Sequence, residues 1–425
     1  MKAMKISAQD KAVLRELAEK QAAIAALPIH QAKAELWTEL NGLRSRRPMV
    51  SIFQLPWNEM DVNGELKLCC ESKLCRQIEN KMRMQQYMWN HLPADMIVEK
   101  TFLVDPVTTD SGFGMSVAED TIKGTGDVHS HDYKPQITCE ADVAKIKDPV
   151  ITYDREATAE NLDTVRDIFG DILNVQPGGI STVWFAPWDM LVMWWGVQEA
   201  LLDLVLRPEL VHMAMDRLVS AYLARLDQWE SLGLLIAGSG NWGVASNSTC
   251  VGSGGLGYTD ELPQKDFNPS HVRPIDQWGC ATAQIFSEVS PEMHEEFALQ
   301  YEKRWLKKFG LTYYGCCEPL HNKMSILKTI PNLRKVSCSP WCKVDKMVEQ
   351  IGTDYVISIK PNPAIFAEDN WNLEAARKLL ENSLEKTRGC HVEIIAKDLS
   401  TMRGQPQRLW EWADMAIRTV EKFRH

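Results

Sequence analysis

Apolar residues near the start of the chain recur at helical spacing. Leu14, Leu17, Ala18, Ala22 and Ala25 form one stripe, Leu27-Pro28 interrupts it, and Ala34, Leu36, Trp37 and Leu40 begin a second. The pattern predicts a helical N-terminal arm over residues 1–47. After Arg47-Pro48 the text changes to MVSIFQLPW, a β-rich run read as the first core strand. Between about 95 and 155, short Thr/Val/Ile runs are punctuated by Gly and Asp, as in FLVDPVTTDSGFGMSV, which predicts an inserted β-rich or irregular segment. From Glu156 onward, helical periodicity at 157–173, 189–205, 208–230, 290–309, 321–330, 343–351, 372–386 and 406–423 alternates with apolar runs at 180–185, 233–237, 311–316, 334–338, 354–359 and 390–396.

Alternation of short strands with helices predicts parallel βα units. Adding the strand near 50 and one near 101–104 makes eight, the number that closes a (β/α)8 TIM barrel, so residues 48–425 are expected to form one catalytic domain. An open doubly wound sheet is the structural alternative. LVMWWGVQEALLDLVL is the most hydrophobic segment, but Gln198, Glu199 and Asp203 interrupt it, and a buried helix explains it better than a membrane span.

Composition narrows the function classes. The formal net charge is -10 and no Lys/Arg stripe is visible, which argues against nucleic-acid binding. Arg44-Ser45-Arg46-Arg47 is the nearest basic cluster and reads as a solvated helix end. MKAMKISAQDKAV has no apolar signal-peptide core, so a cytoplasmic location is expected, and the 11 cysteines then read as reduced thiols open to metal chemistry.

In a parallel barrel the chemistry lies where strands end. Those positions carry Trp57-Asn58-Glu59, Trp184 to Trp188, Gly238 to Trp242, Cys316-Cys317-Glu318, Cys338 to Trp341, Lys360-Pro361-Asn362 and Lys397-Asp398. Within LTYYGCCEPLHNK, strand alternation places Tyr314, Cys316 and Glu318 on one face and Cys317 on the other. Cys316, Glu318 and His321 are all competent zinc ligands, and a catalytic zinc needs three. Equally, the cysteines can pack a strand while Glu318 and His321 cap the next helix.

The glycines of GLLIAGSGNWG and CVGSGGLGY do not fit a dinucleotide fingerprint, because no helix opens there, and they read as loops. His129-Ser130-His131-Asp132 reads as an exposed loop. Trp57, Trp184, Trp188 and Trp242, at the ends of three different proposed strands, can wall a slot for a flat or methylated ligand, with Lys360 and Asn362 beside them. Trp194, Trp195, Trp410 and Trp412 sit in helical stripes, as core or subunit contacts, so a homo-oligomer is compatible with the chain.

WGCATAQIFSEVSPEMHEEF followed by LTYYGCCEPLH resembles uroporphyrinogen-decarboxylase-like barrels, especially the methyltransferase branch that serves corrinoid proteins; the helical arm with RPMVSIFQLPWNEM is similar to O-demethylases of anaerobic bacteria. The resemblance covers about 50–420 loosely and 275–400 best. It implies methyl transfer from a small methylated donor, most simply an aryl methyl ether, to the Co(I) of a corrinoid protein. It also implies a barrel-mouth zinc on a His-x-Cys and a distant cysteine. Here Tyr314 stands at the histidine, Cys316 at its cysteine, and EIIAKDLSTMRG offers no second thiol. What the resemblance leaves is Cys316, Glu318 and His321 as metal ligands, with Glu393 or Asp398 as further donors, a set suited to polarising an ether oxygen. Glu59 and Asp398 are then expected to give or orient protons, and Lys397 to stabilise charge. No Asp-x-His-x-x-Gly signature is present, so the corrinoid is expected on a partner protein. Decarboxylation of a polycarboxylate is the runner-up, weakened because Arg44, Arg46 and Arg47 precede the first strand instead of following it.

Overall fold

The computed structural model describes residues 6–122, 130–237 and 250–424. Twelve strands are present among them: β1 Met49–Ile52, β2 Thr101–Val104, β3 Val107–Asp110, β4 Glu119–Ile122, β5 Ser130–Tyr133, β6 Ile151–Asp154, β7 Asn174–Pro177, β8 Trp278–Ala281, β9 Leu311–Tyr314, β10 Leu333–Cys338, β11 Val356–Ile359 and β12 His391–Ala396. Six of them form one sheet in the order β1-β12-β11-β10-β9-β8. Every pairing in it is parallel. The fold is therefore mixed α/β around a parallel six-stranded sheet.

The register aligns Ile52 with Ala396, Ile394 with Ile359, Ile359 with Cys338, and Tyr314 with both Val336 and Ala281. One edge of the sheet thus collects the residues that follow each strand: Phe53, Lys397, Lys360, Ser339, Gly315 and Thr282. Strands β1, β8, β9 and β11 are buried at every residue and mostly apolar, as parallel sheets covered by helices require.

Smaller pieces surround this sheet. β2 pairs with β7 in parallel, Ile180 bridges Leu235, β3 pairs antiparallel with β6, and β4 with β5. The antiparallel pairs β3–β6 and β4–β5 lie in the segment read as β-rich. Val50 accepts from the Asp95 amide at 2.9 Å, tying that segment back to β1.

The helices follow the periodicity closely toward the C-terminus, with Val344–Ile351, Leu373–Lys386 and Gln407–Glu421 where the spacing predicts them. The expected helix over 189–205 is two, Pro187–Trp195 and Val197–Leu206, broken at Gly196, whose φ of 82° a helix cannot hold. The helix expected over 290–309 contains a π-turn at Glu295–Leu299, and that over 321–330 shrinks to Met324–Leu327.

The strand inventory also needs correction. Trp278–Ala281 is a fully buried strand that the apolar pattern did not separate from its surroundings, and of 180–185 only Ile180 makes a bridge before a helix begins at Pro187. The N-terminal helices Ala8–Ala25 and Ile29–Asn41 are not a free arm. Leu14, Leu17 and Ala18 pack with Met82, Phe102, Ile168 and Phe169. Trp37 and Leu40 pack against Met49 of β1.

Arg47 is not a solvated helix end. It is buried, with a bidentate pair to Asp95 at 2.9 and 2.7 Å, while Asp95 also accepts from the Val50 amide at 2.8 Å. Arg44 and Arg46 do remain exposed, on Asp260 and Glu39. No helix among the described residues is long and apolar enough to cross a membrane.

Candidate functional site

Local chain geometry builds the site at the shared strand edge. After β9 the chain turns at Gly315, whose φ of 98° is disfavoured for any residue with a Cβ; a Cβ there would also sit 2.4 Å from Leu320 and 2.9 Å from Ser337. That turn presents Cys316 inward. After β12, Lys397 extends the strand and Asp398 takes φ 57°, an uncommon left-handed conformation for a residue other than glycine.

The Lys397 ammonium lies 3.2 Å from the Cys316 sulfur and 2.7 Å from an Asp398 oxygen. Cys317 stands 3.5 Å from Cys316, sulfur to sulfur, and 3.9 Å from Asp398. The hydrogen bond with Cys317 pulls the Cys316 thiol below the ordinary thiol range against the effect of burial, and the Lys397 and Lys360 ammonium groups add to the pull. The same bond, with burial, raises Cys317. Burial works against the charge on Lys397, yet Cys316 and Asp398 more than offset it and the lysine is held firmly cationic.

Below this pair the concave face is polar. Lys360 donates to the Tyr313 hydroxyl at 3.0 Å and bonds to Ser337, which donates to the Cys316 carbonyl at 2.7 Å. Lys335 and Glu393, both without solvent exposure, pair at 2.8 Å one layer deeper. Glu393 is thus committed to a lysine and to the Gly255 amide.

A second group of ionisable residues adjoins Cys316 through Glu318. Asp189, in the first turn of helix Pro187–Trp195, accepts from the Gln284 amide at 2.7 Å and from Trp184. Burial raises its carboxyl to about 6, with the charge of Glu318 adding to the effect and the two hydrogen bonds opposing it. Farther in, Tyr314 links His294 and Glu302 at 2.6 Å each, and Lys323 reaches His294 at 3.0 Å. Burial pushes Glu302 up to about 8 and Lys323 down to about 8, so neutral forms of both are accessible.

Not every residue singled out from the sequence joins this pole. Glu318 is fully buried and spends its carboxylate on Thr282 Oγ1 and the amides of Ala283 and Cys316, holding the turn. His321 turns toward Cys342. Glu59 binds Thr401 and the amides of Met402 and Gly404, anchoring the loop after β12, and these bonds lower its carboxyl despite burial. Asn362 accepts from the Ala364 amide at 3.0 Å. Trp57 packs edge-on against Tyr87. Trp184 is 41% exposed, whereas Trp188 is fully buried and donates to the Phe297 carbonyl. Trp242 and His129 lie outside the described residues, and His131 pairs with Glu119 on the β4–β5 hairpin.

A zinc on Cys316, Glu318 and His321 does not fit this arrangement. Both oxygens of Glu318 already accept from neutral donors of the turn, and the His321 ring faces another loop. Among the described residues no group of three or more His, Cys, Asp or Glu is placed to hold a metal ion.

Asp189 and Gln284 went unnoticed in the sequence because an aspartate in the first turn of a helix reads as ordinary dipole compensation. Only the fold brings them beside Glu318. Lys360, Cys316, Lys397 and Asp398, in contrast, meet as strand-end positions.

No family model matches the chain, and no curated protein matches it. Among solved structures, a methyltransferase from Methanosarcina mazei is similar with a TM-score of 0.48 at 11% identity, over 92% of this chain and 98% of that one.

Proposed function

We propose that this protein is an enzyme that moves a methyl group from an aryl methyl ether to the Co(I) of a separate corrinoid protein, on a parallel sheet closed into a TIM barrel. The resemblance of WGCATAQIFSEVSPEMHEEF and LTYYGCCEPLH to corrinoid-serving barrels supports the reading, as does the collection of Cys316, Lys360, Lys397 and Asp398 at one strand edge. The observation that carries it is Asp189, a carboxyl poised near 6 beside a partly exposed tryptophan.

Cleaving an ether by methyl transfer requires the oxygen to leave with the bonding pair, and a phenoxide leaves better when it is protonated as the bond breaks. The corrinoid supplies the nucleophile for the methyl carbon. Asp189 in its neutral form donates the proton to the departing oxygen, Gln284 orients that carboxyl, and Trp184 offers a face to the aromatic donor. Lys397 holds the Cys316 sulfur and brings positive charge to it, and Asp398 holds the lysine in place. The acid role passes to Asp189 because Asp398 is paired with Lys397 and Glu59 is spent on a loop.

The experiment supplies a panel of aryl methyl ethers with a reduced corrinoid protein and follows the released phenol. Phenol is expected only when the corrinoid protein is present. Turnover of a polycarboxylate with release of carbon dioxide, needing no corrinoid, would replace this reading with the decarboxylase.

A further inference from the structure

At the end of β10 the chain reads Cys338-Ser339-Pro340-Trp341-Cys342, and a turn closed by the Cys342 amide on the Ser339 carbonyl at 3.0 Å folds the second cysteine back toward the first. Cys342 is half-buried and Cys338 buried. The Cys342 sulfur accepts from the Leu320 amide at 3.3 Å and lies 3.7 Å from the Ser339 hydroxyl. The Cys338 side chain acts on the same sulfur and helps to lower the Cys342 thiol. Donors of this kind favour a thiolate, the form that attacks. Both cysteines line a cavity of about 190 Å³ that also touches Lys360, Asn362 and Trp412. Neither cysteine serves the chemistry proposed above.

We infer that Cys338 and Cys342 are a thiol pair that exchanges with small-molecule disulfides. The Cys342 thiolate attacks one sulfur of the small disulfide; that S–S bond breaks, one small thiolate leaves, and a mixed disulfide stands on Cys342. The Cys338 thiol then gives its proton to a departing thiolate and its sulfur attacks Cys342, releasing the second small thiol. Two cysteines are oxidised to one disulfide, and one small disulfide is reduced to two thiols.

The spacing distinguishes this pair from Cys316 and Cys317. Adjacent residues across a trans peptide have Cα atoms about 3.8 Å apart, short of the roughly 4.4–6.8 Å that disulfides span. Two cysteines four positions apart and joined by a turn have no such restriction. The exposed thiols Cys69 and Cys139 can also meet a small disulfide, so the location of the product is the readout.

The test incubates the full chain with glutathione disulfide under non-denaturing conditions, then blocks remaining thiols and maps peptides by mass. The expected product is an internal link between Cys338 and Cys342, with loss of two hydrogens. Cys338→Ser should leave glutathione trapped on Cys342, and Cys342→Ser should leave Cys338 reduced. Should wild-type protein keep both thiols reduced while Cys69 or Cys139 becomes glutathionylated, the pair is inert and the inference fails. That wild-type result decides the matter even if a variant does not fold.

Discussion

Lys397 donates to the sulfur of Cys316 across 3.2 Å, although their strands, β12 and β9, are separated in the sheet by β11 and β10. Three strand spacings amount to roughly 14 Å in a flat sheet, so this contact requires the sheet to curl toward its inner face. Lys335 on Glu393 and Lys360 on Tyr313 each skip one strand in the same direction. The curl turns separate strand ends into a single polar pole.

Lys397 contributes to the reactivity of Cys316, alongside the larger effect of the hydrogen bond with Cys317. The Cys316 thiol lies below the usual range, so the thiolate is present above that lowered value and disappears as pH falls through it. Lys397→Met removes one of the charges that favour the thiolate. Iodoacetamide labelling of the Cys316 peptide near pH 7 should slow by about tenfold, as for a rise of about one pKa unit. An unchanged labelling rate would show that the lysine does not act on the sulfur.

Asp189 makes a signed prediction about pH. Its folded value, about 6, stands above that of an unfolded aspartate, so between the two the folded protein holds more protons, and this group's contribution to stability falls as pH rises through that window. The acid role points the same way, with demethylation declining above about pH 6. Asp189→Asn should remove both slopes. A denaturation series and a rate profile across pH 4–8 check them separately, and a rate limb that persists in the variant assigns the proton to another group.

Trp184 and Trp188 should respond in opposite ways. Trp188 is fully buried against Phe286, and Trp188→Ala is expected to cost about 3–5 kcal/mol of folding stability. Trp184→Ala, at a partly exposed ring, should leave stability nearly intact and weaken aryl donor binding by about 1–3 kcal/mol. Calorimetry of both variants with a donor analogue separates the two, and a stability loss at Trp184 without any affinity loss would make that ring structural.

Arg47 and Asp95 fasten β1 to the segment ahead of β2. Asp95→Ala removes the bidentate partner of a buried guanidinium, leaving it only the Glu421 carboxylate at 2.9 Å, and should cost about 3–5 kcal/mol. Urea unfolding measures it; a change below about 1 kcal/mol would mean that Glu421 or water satisfies Arg47 without Asp95.

Much of this architecture was legible in the pattern of residues, and for a physical reason. Strands such as Val356–Ile359 and His391–Ala396 are short, mostly apolar runs between amphipathic helices, and the polar residues that end them, Lys360, Lys397 and Asp398, must lie on one edge if the strands are parallel. Trp278–Ala281 escaped because a four-residue run containing a glycine carries little strand signal. Glu318 looked like a ligand because a carboxylate near cysteines suits a metal; its commitment to Thr282 and two amides depends on where β8 ends, which no local pattern states. Arg47 looked solvated for the same reason, since its partner lies 48 residues away.

The central claim is methyl transfer from an aryl ether to cobalt. The cobalt spectrum of a reduced corrinoid protein is recorded through a single turnover with this protein and an aryl methyl ether. Loss of the Co(I) signal in step with phenol, one for one, is expected, with a slower loss for Asp189→Asn. Phenol or carbon dioxide appearing while the Co(I) signal stays constant would contradict it.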